Sequence, residues 1–251
     1  MDRVTPVVAV LVAHGQPSDA AGAGMELAAL AAKVAVHLPG WQVRSATLAE
    51  PGALAEAVTG AAGVVYPVFM AGGWFTRVHL SARLAAAGGA AWRVLEPMGC
   101  DPAIHALAVE QVRAALAEAG PGEADPEEAE VVLAAHGSSR SPAPSDIARH
   151  LAARMAAEFG DAQVRAAFID QDPRLADLPP LGSRAVCLPF FAAAGGHVTE
   201  DVPLALATAG FKGRLLPALG LDPRLPAIIA AAIAAGLPVC AEACRYSTPQ
   251  G

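Results

Sequence analysis

Residues 7–15 read VVAVLVAHG and residues 129–137 read AEVVLAAHG: two apolar runs, each closing on His-Gly, at His14 and at His136. A short apolar run rich in valine and bounded by glycine reads as a buried strand. Outward from these runs two further echoes follow in the same order, YPVFMAGGW (66–74) against LPFFAAAGGH (188–197) and GCDP (99–102) against GLDP (220–223). The chain is therefore read as one module written twice, a first copy at 1–119 and a second at 129–251, with residues 120–128 between them. That stretch carries Pro121, Gly122 and the acids Glu123, Asp125, Glu127 and Glu128, the composition of a linker. The copies differ where chemistry would sit. Only the second has a histidine after both landmarks, His136 and His197; matched on the paired glycines, the first has His14 but sets Trp74 opposite His197.

Between the apolar runs lie longer segments of helical period. Strands are expected at 7–12, 42–47, 63–68 and 92–95, with helices at 24–37, 52–58, 75–86 and 102–118. The second copy repeats the order, with strands at 131–134, 163–168, 185–189 and 214–217 and helices at 146–159, 174–178, 198–209 and 223–235. This alternation implies an α/β fold of two tandem modules, each a parallel sheet of about four strands flanked by helices. Open parallel sheets bind ligands beyond the carboxyl ends of their strands. His14, His136 and both Gly-Gly segments fall on that edge, and a cleft between the modules is the expected pocket.

Composition narrows the function classes. With 54% hydrophobic and 16% charged residues over 251 positions, the chain can bury sizeable cores and disorder is excluded. No apolar run reaches about 18 residues without a charge, Gly or Pro, which argues against a membrane span. A net charge of −7 with 17 scattered Lys and Arg argues against nucleic acid, which needs a concentrated basic face. Met1-Asp2-Arg3 leads into an apolar run by Val7, leaving no room for a secretion signal, so a cytoplasmic location is expected. Cys100, Cys187, Cys240 and Cys244 do not make a disulfide framework in a chain this long. Cys187, inside AVCLPF, reads as a small core residue. Cys240 and Cys244 are either free thiols or two ligands to a metal or cluster. Oligomeric state is left open.

His136 precedes Gly137-Ser138-Ser139-Arg140, a small turn that permits close backbone approach, and His197 follows Ala194-Gly195-Gly196 and is trailed by Glu200 and Asp201. Two imidazoles at adjacent strand ends, with a carboxylate one turn away, suit a borderline divalent metal such as cobalt or iron. Two or three ligands leave coordination positions open, which suits an ion in transit. The plainer reading keeps both histidines as ordinary strand-end residues and lets Glu200 and Asp201 favour a helix N-terminus; the matched placement in a duplicated unit favours the site. In the first copy, His14 and His79 are candidates for a second site. Trp74 and Phe75 either offer a flat aromatic face or pack in a core. His37, His105 and His150 lie in helical stretches and read as surface or interface residues.

LAAHGSS (133–139) together with LPFFAAAGGHVTEDVP (188–203) resembles the sirohydrochlorin chelatases, the class II chelatases that place cobalt or iron in a tetrapyrrole without ATP. The resemblance extends over both copies in its long two-module form. It implies a lyase-type enzyme of cobalamin or sirohaem biosynthesis, with cobalt favoured and iron the alternative. The divalent metal is then a substrate, with no tightly bound cofactor. His136 and His197 would bind the metal, and Glu200 would assist its delivery or remove a proton. Insertion displaces two pyrrole N–H protons, which a nearby base can take, and coordination needs unprotonated imidazole, so activity is expected to fall in acid. Sirohydrochlorin is edged with carboxylates; Arg77 and Arg140 are the best-placed cations for it. Ser138, Ser139, Trp74 and His14 complete the expected substrate contacts. The first copy is expected to lack metal chemistry and to grip substrate.

Two other classes remain. A non-catalytic metal or tetrapyrrole carrier would keep the fold and ligands without turnover. A phosphoryl-transfer enzyme built on strand-end His-Gly is disfavoured, since Ala13 and Ala135 precede the histidines where an arginine would hold phosphate. No Gly-x-Gly-x-x-Gly opens the first helix, which disfavours a dinucleotide enzyme.

Overall fold

Each apolar run forms the central strand of a sheet. The structure, a computed structural model, describes residues 7–118, 129–160, 162–240 and 245–246; the expected linker at 120–128 and Cys244 lie outside these. The first sheet contains β1 (Val7–Ala13), β2 (Trp41–Thr47), β3 (Val64–Pro67) and β4 (Arg93–Val94), all parallel, in the order β2-β1-β3-β4. The second contains β5 (Glu130–Ala135), β6 (Gln163–Phe168), β7 (Val186–Pro189) and β8 (Arg214–Leu215), in the order β6-β5-β7-β8. The strands after the first lie on opposite sides of it, so the chain reverses its winding between β1 and β3 and again between β5 and β7. Such a switch point opens a crevice at the carboxyl ends of the two strands.

The helices are α1 (Ala20–Val36), α2 (Ala53–Ala57), α3 (Leu80–Ala86), α4 (Pro102–Glu118), α5 (Ala143–Phe159), α6 (Val202–Thr208) and α7 (Leu225–Ala235). The segment expected as a helix at 174–178 is only a 3₁₀ turn, Leu175–Asp177. Two others begin in an unexpected way. Phe75–His79 and His197–Asp201 are single π-helical turns that run into α3 and α6. π-turns inside helices are frequent at functional sites.

The core on one face of the first sheet gathers Val10, Val12, Val65, Phe69, Leu80 and Leu84. The second sheet repeats it position for position with Val132, Ala134, Cys187, Phe191, Val202 and Leu206. Duplication thus reaches the packing as well as the motifs. Cys187 is a core residue, as its setting in AVCLPF suggests. Burial pushes its thiol up to about 12, and only the thiolate reacts. A thiol reagent at mildly alkaline pH therefore spares Cys187 in the native protein and labels it in denaturant, as peptide mass after labelling will show.

The chain does not divide sequentially. One compact unit comprises Met1–Asp101 with Pro223–Ala243, the other Pro102–Asp222 with Cys244–Gly251. The two modules have exchanged their last helices relative to the expected division at 1–119 and 129–251. α4 packs on β7 and α5 in the second unit, while α7 packs on α1 in the first. Residues after α7 also join the first unit, where Pro238 bridges antiparallel to Leu95 and Val239 N–H donates to the Val94 carbonyl at 3.2 Å. This covers the edge beside the two-residue strand β4, whose free backbone groups would otherwise be exposed for pairing. Among the described residues no helix is long and apolar enough to cross a membrane.

His105, read as a surface or interface residue, is buried in the second unit. It is 1% exposed on α4 and packs against His150, Phe190 and Tyr246, at ring centroid distances of 5.8, 6.5 and 5.1 Å. Its helix looks unremarkable in sequence, and its burial follows from the sheet that α4 joins.

Candidate functional site

The two histidines of the second unit meet. His136 immediately follows β5, and His197 opens the π-turn beyond β7, so both project from the carboxyl edge at the switch point. Their Nε2 atoms lie 3.1 Å apart, with the rings perpendicular at 89° and centroids 4.5 Å apart. A tetrahedral ion with metal–nitrogen bonds of 2.0–2.1 Å would hold two ligand nitrogens about 3.3 Å apart. The observed spacing is within a few tenths of an ångström of that. The side chains of His136 and His197 are 43% and 47% exposed, open enough for an ion and a large ligand to reach them.

The outer nitrogens explain why the inner ones converge. His197 Nδ1 lies 2.7 Å from Asp201 Oδ2, and His136 Nδ1 lies 3.0 Å from the Gly137 carbonyl and 3.5 Å from Asp170 Oδ2. Ionised carboxylates and carbonyls only accept, so both protons belong on Nδ1 and both Nε2 atoms present lone pairs. Carbonyl or carboxylate behind a ligand imidazole is the usual support of a metal site. Among the described residues no group of three or more His, Cys, Asp or Glu side chains converges to hold a metal. The protein offers an ion two nitrogens and leaves the remaining positions to other ligands.

The strand-end turn is built by glycine. Gly137 has φ 74°, and a Cβ there would come within 2.7 Å of Gln171 Cγ. With no side chain in the way, Gln171 Oε1 accepts from Ser138 N–H at 2.7 Å and holds the turn. Ser138 Oγ in turn accepts from Arg140 N–H at 3.1 Å, so its hydroxyl is engaged in shaping the loop. Ser139 and Arg140 are exposed beyond it.

Glu200, expected to assist metal delivery or remove a proton, is exposed on the π-turn, and its neighbour Asp201 is the carboxylate that reaches His197. Asp170 and Gln171, in the loop after β6, were not singled out from the sequence. A comparison of the residues after the second strand of each copy, Leu48-Ala49 against Ile169-Asp170, would have exposed the extra acid: Ala49 N–H and Asp170 N–H donate to the His14 and His136 carbonyls respectively, both at 2.9 Å.

The first unit retains the scaffold and lacks the paired imidazoles. Counted from the strand ends, Phe75 stands eight residues after Pro67 as His197 stands eight after Pro189, and each opens a π-turn. Phe75 therefore occupies the His197 position, which corrects the expected pairing with Trp74; His79 stands where Asp201 does, and Ala49 where Asp170 does. His14 packs on Phe75 and Phe69 at ring centroid distances of 4.1 and 4.8 Å, and Phe75 also packs on His79 at 4.7 Å. Phe75 thus meets both histidines that were candidates for a second site. Trp74 is 58% exposed and tilted against His79, while Arg77 donates to the Gly72 carbonyl at 3.2 Å.

A duplicated parallel module with paired imidazoles at one switch point defines a protein of the chelatase class. Residues 130–235 match the CbiX family model. The solved structure of CbiX, the terminal enzyme for biosynthesis of siroheme in denitrifying bacteria, is 45% identical with a TM-score of 0.82, over 91% of this chain and 99% of that one. The chain belongs to the CbiX family. SirB from Bacillus subtilis, solved with Fe³⁺, superposes with a TM-score of 0.65 at 17% identity, over 92% of this chain and 94% of that one. A multi-domain protein from Deinococcus radiodurans with structural similarity to chelatases gives 0.61 at 20% identity, over 92% of this chain and 54% of its own length. These last two share the fold. Comparison with curated proteins gives no match.

Proposed function

We propose that this protein inserts a divalent metal, cobalt or iron, into sirohydrochlorin, with His136 and His197 as the metal-handling pair. The observation that carries this reading is the 3.1 Å approach of two Nε2 atoms whose opposite nitrogens both face acceptor oxygens. The reaction balances as M²⁺ plus free macrocycle giving metallated macrocycle plus two protons. A two-nitrogen site holds the incoming ion while leaving positions for pyrrole nitrogens, so the ion changes ligands stepwise without being stripped bare. Glu200, exposed on the turn that His197 opens, would take a departing proton. Ser139 and Arg140 extend the same edge toward the substrate's carboxylates. Ser138 acts there by shaping the turn. Trp74, Arg77 and His14 belong to the first unit, whose corresponding strand-end site is aromatic.

The choice of metal has two supports that point differently. Nitrogen donors bind Co²⁺ more tightly than Fe²⁺, whereas the 45% identical relative acts in siroheme biosynthesis, and sirohaem contains iron. Visible absorbance of sirohydrochlorin mixed with the protein and Co²⁺, Fe²⁺ or Ni²⁺ in parallel decides both points. Insertion is expected well above the buffer rate with Co²⁺ and Fe²⁺. Tight binding of metal and macrocycle with no rate above buffer would make the protein a carrier and sink the enzymatic reading.

A further inference from the structure

We infer that Asp201 is a positioning residue that holds His197 in the Nδ1–H tautomer and aims its Nε2 at the ion. This deepens the proposed function and rests on His197 as a ligand.

Three observations converge on it. First, Asp201 Oδ2 lies 2.7 Å from His197 Nδ1, while Nε2 of the same ring faces His136 Nε2 at 3.1 Å. A carboxylate accepts and cannot donate in its ionised form, so this contact requires the proton on Nδ1 and leaves Nε2 free to coordinate. Secondly, the two residues are the first and last of one π-turn, closed by the Val202 N–H donating to the His197 carbonyl. The turn places them on the same side, so the carboxylate meets the outer edge of the ring. Glu200, one residue earlier, is exposed and makes no such contact.

The third observation separates this role from a helical one. An acid in a first turn can serve the helix dipole, and Asp201 would then be needed wherever the π-turn forms. The first unit has the same π-turn at Phe75–His79 with no acid in it. There the ring is Phe75, which has no N–H to offer, and the Asp201 position is His79. Ligand and carboxylate are absent together while the backbone persists. The carboxylate therefore follows the imidazole, not the helix.

His136 differs. Its Nδ1 is already held by the Gly137 carbonyl at 3.0 Å, with Asp170 farther at 3.5 Å. Backbone fixes one ring and a side chain fixes the other, so the pair's geometry is open to mutation at Asp201.

The test uses the full-length protein without macrocycle. The tautomer of His197 is read from imidazole ¹⁵N shifts, and Co²⁺ affinity from titration of the cobalt visible bands, in the unmodified protein and in Asp201→Ala, Asp201→Asn, Asp201→Glu and His197→Ala, with circular dichroism confirming the fold of each. In the unmodified protein His197 is expected as Nδ1–H. Asp201→Ala is expected to lose that tautomer and to bind Co²⁺ about 10–100-fold more weakly, with Asp201→Asn intermediate and Asp201→Glu partly restored. If Asp201→Ala keeps both the tautomer and the affinity while His197→Ala loses Co²⁺, the positioning role is wrong and the metal site stands. If His197→Ala also binds Co²⁺ as the unmodified protein does, the ligand premise fails, and the inference fails with it.

Discussion

His136→Ala and His197→Ala are each expected to lower metal insertion by about 100-fold or more, whereas His14→Ala leaves the rate within a few-fold. The three residues hold equivalent or neighbouring places in a repeated frame, so the difference comes from what surrounds them. His136 and His197 lie with Nε2 atoms 3.1 Å apart and acceptors behind both rings. Removing either leaves one nitrogen, and an ion then has no reason to prefer this edge over water. His14 instead packs on Phe69 and Phe75, and the carboxylate positions around it are Ala49 and His79. Initial rates from macrocycle absorbance, with Co²⁺ and Fe²⁺ tested separately, are the measurement. A dead His14 variant beside two active ones would move the reaction to the first unit. Because neither His136 nor His197 belongs to a core, thermal unfolding of both variants should match that of the unmodified protein, which separates lost chemistry from lost fold.

Much of this was legible before any coordinates. The runs ending at His14 and His136 became the central strands because valine-rich segments of that length can only be buried, and a repeated pattern halves the number of ways to read it. The placement of His136 and His197 followed from topology, since a residue just past a central parallel strand is on the carboxyl edge, where open sheets bind ligands. The register of the second landmark was lost because it was matched on the glycine pair, which places Trp74 opposite His197. A side chain keeps its place only if its distance from the strand end is kept, and counting from Pro67 and Pro189 gives Phe75. Asp201 was indistinct from Glu200 for a similar reason: residues three and four beyond a helical histidine share its face, and only the π-turn decides between them. The exchange of α4 and α7 left no trace in sequence at all. Both follow the same Gly-x-Asp-Pro turn and both present apolar faces, with Ile104, Leu107, Ala108 and Val112 buried on one and Leu225, Ile229, Ala230 and Ile233 on the other. Either face would suit either sheet, so periodicity could not say which partner each would take.

That same repeated turn supports the second large effect. Gly220→Ala is expected to destabilise the fold and to slow insertion, while Gly99→Ala destabilises it and leaves insertion largely intact. A Cβ on Gly220 would fall 2.0 Å from the Ala192 carbonyl oxygen and 2.3 Å from its carbon; on Gly99 it would fall 2.1 Å from the Met70 oxygen. Both glycines also donate their N–H to the loop they touch, at 2.9 Å to the Phe191 and Phe69 carbonyls respectively. Backbone meets backbone in each case, so no side chain can rotate aside and one strand of the contact must move. Overpacking of this kind costs about 1–3 kcal/mol, sometimes more, and each kcal/mol lowers Tm by about 2–4 °C in a chain of this size. The functional consequences differ because the displaced loops carry different cargo. Ala192 lies in the segment that joins β7 to His197, and an error of about 1 Å in a reacting group can cost about 100-fold in rate. Met70 lies in the segment leading to Phe75, which has no lone pair to misplace. Thermal unfolding of both variants, with insertion rates measured well below either Tm, separates the two effects. Equal losses of insertion in Gly99→Ala and Gly220→Ala would mean that general loosening, not displacement of His197, governs the rate, and would weaken the assignment of chemistry to the second unit alone.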